Sequence, residues 1–138
     1  MNCNYDEPES VVRCFIAEMY RWETESHVAR RAVRQSDNPA SYQDSVRAAM
    51  ARIFSAYCTP KSRPYGRNAS FQKPPEYNPE HETILSTEIS GLSASVRTRR
   101  DSVFGGLFRY TLKRIDNRWL IDTLKRCNDD DTESRAIL

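Results

Sequence analysis

YTLKRIDNRWLIDTLKR, residues 110–126, decides the fold. Before its centre, Phe108, Tyr110 and Leu112 fall on one face of an extended chain, and Arg109, Thr111 and Lys113 fall on the other. After the centre, Trp119, Ile121 and Thr123 alternate against Leu120, Asp122 and Leu124. Asp116-Asn117 separates the runs, and both residue types tolerate positive φ. The pattern predicts two antiparallel strands, 104–115 and 118–126, joined by a two-residue turn. Gly105-Gly106 predicts a bulge or sharp bend near the start of the first. Moving back along the chain, Ser93–Arg100 and Glu82–Ser90 read as two further strands.

Upstream of the strands the apolar period changes from two to about 3.6. Val12, Phe15, Ile16, Met19 and Trp22 form one helix face, with Asp6 as N-cap, Pro8 in the first turn and Glu9 completing a capping box. This helix is expected to reach about Arg34, before the loop signal at residues 35–39. A second helix starts near Ser41 and buries Val46, Met50, Ile53, Phe54 and Tyr57, stopping ahead of Pro60. Residues 59–79 hold five of the seven prolines, too many for a helix or a central strand. With Tyr65, Phe71 and Tyr77 they read as an ordered excursion containing a short strand at 69–72. Helices followed by antiparallel strands define an α+β domain.

The chain has 138 residues, 38% of them hydrophobic and 29% charged, which suits one domain with a modest core. Its ordered part is expected over 8–127, with 128–138 a frayed tail. No stretch approaches the roughly 18 apolar residues of a membrane helix. MNCNYDEPES is acidic and polar where a secretory signal is basic and then apolar. Cys3, Cys14, Cys58 and Cys127 lack metal-site spacing and read as reduced thiols of a cytoplasmic protein. The net charge of +2 is segregated: residues 26–67 and 94–126 each carry +6, and the acidic remainder carries the balance. Such blocks suit docking to a charged macromolecule.

The hairpin at 110–126 resembles that of the NTF2-like superfamily, a cone of helices and one bent sheet. YCTPKSRPYGRNASFQKPPEYNPEHETIL, residues 57–85, narrows the likeness. Its Thr-Pro-Lys, Tyr-Gly-Arg and Pro-Glu-Tyr resemble the bacterial NTF2-fold immunity proteins, and the similarity spans about residues 10–127. The resemblance implies two or three N-terminal helices on a strongly curved, mainly antiparallel sheet of four to six strands. It also implies an antidote, not an enzyme, which neutralises the C-terminal domain of one polymorphic toxin. Such toxins are often delivered by type VI or contact-dependent secretion. No cofactor is implied, and the chain is expected to be a monomer or a homodimer.

Three clusters are candidates for contact with a toxin. Lys61, Arg63, Tyr65 and Arg67 place an aromatic residue among cations, as binding hot spots do. Alternatively this is a loop pinned by Tyr65. Glu76 and Tyr77, with Glu80, His81 and Glu82, form an acidic group able to clasp a basic surface, or the capped start of a strand. Arg97, Arg99 and Arg100 close a strand, with Arg97 and Arg99 on one face and Arg100 on the other. They are either a binding patch or a solvated edge. The enzymatic alternative places Asp122 in an apolar pocket as general base, with Tyr20, Tyr57 or Tyr110 stabilising an oxyanion, as in ketosteroid isomerase-like proteins. The plainer alternative pairs Asp122 with Arg109, Lys113 or Arg126. Phe108, Tyr110, Trp119 and Ile121 form either a dimer seam or a ligand pocket. Direct nucleic-acid binding is disfavoured by the interspersed acids and the lack of a reading motif.

Overall fold

The computed structural model describes residues 3–33, 39–60, 77–101 and 106–127. Two helices, α1 (Pro8–Val33) and α2 (Pro39–Tyr57), precede four strands, β1 (Glu82–Ser90), β2 (Ser93–Arg100), β3 (Gly106–Ile115) and β4 (Arg118–Cys127). The strands form one antiparallel sheet in the order β1-β2-β3-β4. This is the α+β arrangement expected of an NTF2-like fold. The expected strand at 69–72, Gly105 and the tail at 128–138 lie outside the described residues.

Both helices begin on a proline, whose fixed φ and missing N–H suit a first helical position. In α1 the cap falls one residue later than the sequence suggests. Glu7 supplies the first carbonyl, to the Val11 N–H at 3.2 Å, while the Asp6 N–H donates to Asn4 Oδ1. The predicted face is buried: Val12, Phe15, Ile16, Met19 and Trp22, joined by Val11 and by the unpredicted Glu23. Phe15 is its centre, with ring centroids 5.5 Å from Tyr77, 6.0 Å from Phe54 and 6.5 Å from Tyr110. From α2, Met50, Ile53, Phe54 and Tyr57 pack on this core.

The turn between β3 and β4 holds Asp116 and Asn117 at φ of 51° and 62°, as a two-residue hairpin of this twist requires. Two bulges bend the sheet. One lies between Ile84 and Ser86 in β1. The other lies at Asp122 in β4, between the Thr111–Thr123 and Leu112–Ile121 pairs. The second corrects the simple alternation. Beyond it Leu124 joins Ile121 and Trp119 on the helix-covered face, while Thr123 lies opposite Thr111 on the other. Gly106 has φ of 144°, and a Cβ there would meet the Arg126 guanidinium at 3.1 Å.

After α2 the chain lies along the free edge of β4. Cys58 bridges Ile121, and the Thr59 N–H donates to the Ile121 carbonyl at 2.8 Å. The N-terminal segment closes the same end. The Tyr5 carbonyl accepts from the Trp119 N–H, and the Tyr5 hydroxyl donates to the Ala56 carbonyl, both at 2.9 Å. Its ring stacks on Tyr57. This fold-back places Cys3 and Cys14 with Cα atoms 6.1 Å apart, within the span of a disulfide. Cys58 and Cys127 are free thiols.

Candidate functional site

The two faces of the sheet carry different chemistry. On the helix-covered face, alternation along β2 directs Ala94, Val96, Thr98 and Arg100 inward. Glu82 stands opposite Arg100 in the register. Its carboxylate accepts from Arg100 Nε at 2.9 Å, Thr98 Oγ1 at 2.8 Å and the Tyr110 hydroxyl at 2.8 Å. Arg100 Nη2 also donates to the Tyr110 oxygen at 3.3 Å. The guanidinium lies 4.0 Å from the centroid of Phe108 and 4.7 Å from that of Tyr77, each a favourable cation–π contact.

This cluster is sealed: Glu82 is 8% exposed, Arg100 5% and Tyr110 0%. Burial, then the neighbouring Glu82 charge, push the Tyr110 hydroxyl well above its usual pKa. Burial works against the charge on Arg100, but Tyr110 and Glu82 outweigh it and hold the guanidinium protonated. A second buried acid, Glu23 on α1, accepts the Tyr77 backbone N–H at 3.3 Å. It was missed because an acid was not expected within an apolar stripe, although Phe15, Met19 and Glu23 share the four-residue step that signals one face.

Tyr77 and Arg100, read from sequence as contact residues, are therefore interior. Phe108, Tyr110, Trp119 and Ile121 are interior as well, so they form neither a dimer seam nor an open pocket. Arg97 and Arg99 are exposed on the opposite face, as alternation requires. Lys61, Arg63, Tyr65, Arg67 and Glu76 lie outside the described residues.

Asp122 lines a shallow depression on the open face with Ser93, Ser95, Thr111 and Lys113. Its Oδ1 accepts from Thr59 Oγ1 at 2.8 Å, and its Oδ2 lies 3.7 Å from Lys113 Nζ. The Lys113 pairing anticipated from sequence is present. Tyr110 faces the other side of the sheet, and Tyr20 is half-buried on α1, where its carbonyl accepts from Thr24 Oγ1. Asp122 and Tyr110 are thus not brought to one pocket. Among the described residues, no three potential metal ligands cluster, and no helix is long and apolar enough to cross a membrane.

Comparison with known proteins fits this architecture. Residues 7–134 match the family described as NTF2 fold immunity protein. The chain is 31% identical over 120 residues to the protein named immunity protein RhsIA of Dickeya dadantii (strain 3937), covering 86% of this chain and 85% of that one. No solved structure matches. The family match spans both helices and all four strands, so the chain belongs to the NTF2-fold immunity proteins.

Proposed function

We propose that this protein silences one cognate toxin domain by binding it and covering its active site or substrate surface. The division of polar groups between the two sheet faces carries this reading. Glu82, Thr98, Arg100 and Tyr110 are bonded to one another inside, while Arg97 and Arg99 of the same strand stand in solvent. The first set stiffens the platform and the second is available to a partner. A pre-organised surface loses little entropy on docking. Nanomolar silencing requires about 12 kcal/mol of binding free energy. Family membership and the name of the Dickeya relative support the antidote role. In this role the protein acts in the cytoplasm without a cofactor. Its partner is the C-terminal domain of a polymorphic toxin delivered by type VI or contact-dependent secretion. The small-molecule alternative finds no favouring observation, because Asp122 is held by Thr59 and Lys113 and faces away from Tyr110.

Co-expression tests the proposal. Cells producing the toxin domain encoded beside this gene should survive only when the chain is also made, and the two should co-purify. Asp122→Asn should protect as well as the unaltered chain. Death despite verified expression refutes neutralisation. Lost protection by Asp122→Asn with intact binding would restore the enzymatic alternative.

A further inference from the structure

The two edges of the sheet are finished differently. The β4 edge is covered by the chain itself, where the Thr59 N–H donates to the Ile121 carbonyl and the Tyr5 carbonyl accepts from Trp119. β1 forms the other edge. Among the described residues, no backbone hydrogen bond reaches its outer side between Thr83 and Ser90. β1 also lacks Lys and Pro, residues that commonly keep an exposed edge from pairing. Gly91, at φ of 60°, and Leu92 join Ser90 to Ser93 as a two-residue turn. Ser90 and Ser93 therefore exchange hydrogen bonds, and alternation leaves the N–H and C=O groups of Thr87 and Ile89 pointing away from β2. On the helix side, α1 and β1 leave a groove of about 390 Å³ whose walls include Arg13, Cys14, Ala17, Pro79 and Ile84. Ile89 lies on the same face of β1, nearer the turn, and is 59% exposed. On the open face, Glu88 and Arg97 are exposed, and neither has an ion pair among the described residues.

We infer that β1 of one copy pairs antiparallel with β1 of a second copy across a twofold axis at Thr87, so that the two sheets become continuous. The antidote role is not needed for this inference. Registers centred on Thr87, Glu88 or Ile89 all bring outward-facing backbone groups together. Centring on Glu88 sets two carboxylates directly opposite each other, which destabilises the pair. Centring on Ile89 sets Glu88 opposite Ser90, whose register partner is Ser93, not a cation. Centring on Thr87 sets Glu88 opposite Ser86 of the partner subunit, and Ser86 is in register with Arg97. Neighbouring strands lie about 4.8 Å apart, so Glu88 meets the partner subunit's Arg97 over one small side chain. Twofold symmetry makes this contact twice. On the helix side, the extra residue at Leu85 brings the partner's Ile89 beside Ile84, at the mouth of the groove. One chain thus carries both halves of each contact, as an isologous interface requires. That self-complementarity favours a second copy over an unrelated strand.

Sedimentation of the full chain across a concentration series tests the pairing. The unaltered chain should pass from monomer to dimer. Ile89→Lys should raise the dimer dissociation constant by roughly 100-fold, with an unchanged circular dichroism spectrum. Glu88→Arg and Arg97→Glu should each raise it about tenfold, because attraction becomes repulsion at two symmetric contacts. Glu88→Arg/Arg97→Glu restores opposite charges across the seam and should return the constant to within about threefold of the unaltered value. A monomer at every concentration overturns the inference. So does a dimer whose dissociation constant none of these variants changes. A monomeric chain whose affinity for the toxin domain falls with Ile89→Lys assigns the edge to a toxin strand, and overturns the inference as well. Neutralisation is read separately, by the co-expression experiment above.

Discussion

The inner and outer faces of one four-stranded sheet use arginine in opposite ways. Arg100 and Arg99 are adjacent in sequence, yet Arg100 is enclosed by Glu82, Tyr110 and two aromatic rings, while Arg99 stands in solvent. The period-two geometry of a strand is sufficient to separate them. Inside, a charge is tolerated only because donors and acceptors meet it from several sides. Outside, water and salt screen it until a partner arrives. The same residue type therefore stiffens the fold on one face and is proposed to recognise on the other.

Breaking the inner cluster should have the largest effect. Arg100→Ala leaves the Glu82 carboxylate buried beside an empty space, and denaturant titration should show a loss of about 3–5 kcal/mol. If the loss is below about 1 kcal/mol, the inner face is not the rigid half of the pair. Tyr110→Phe comes next. It removes one donor to Glu82 and should cost about 1–2 kcal/mol at neutral pH.

Tyr110 also sharpens the contrast through pH. Its folded-state pKa lies well above its ordinary value of 10.0. The unfolded chain therefore releases this proton first, so stability is complete below about pH 10 and falls as pH rises further. Tyr110→Phe should flatten that alkaline decline in unfolding curves taken from pH 8 to 11. The smallest effect belongs outside. Arg97→Ala or Arg99→Ala should change stability by no more than about 0.5 kcal/mol, and a larger loss would give the open face a structural duty.

Much of this arrangement was legible before the structure. The hairpin turn, the limits of β1 and β2, the α1 stripe and the separation of Arg97 and Arg99 from Arg100 on opposite faces all follow from local period and turn chemistry; which of the two faces is buried does not. The bulges were not legible, and they decide the pairing. Counting straight back from the Ser90–Ser93 pair sets Glu82 against Asp101. The extra residue at Leu85 moves it opposite Arg100 and turns a repulsion into the buried ion pair. The extra residue at Asp122 likewise sends Leu124 inward beside Tyr110. A single inserted residue changes every later partner, and alternation alone carries no mark of where it falls. Glu23 was hidden for a different reason, since its partner is the backbone of Tyr77, 54 positions away.

The path of the chain after α2 has a consequence for the connection that leads into the sheet. Thr59 is moored to the outer edge of β4, and Tyr77 lies under Arg100 of β2 and donates its backbone N–H to Glu23 of α1. Each doubling of a connection's length adds only about 0.6 kcal/mol of closure entropy. The sheet and α1 therefore fix where the connection between positions 60 and 77 starts and ends, and closure entropy alone sets only a weak limit on how many residues it holds.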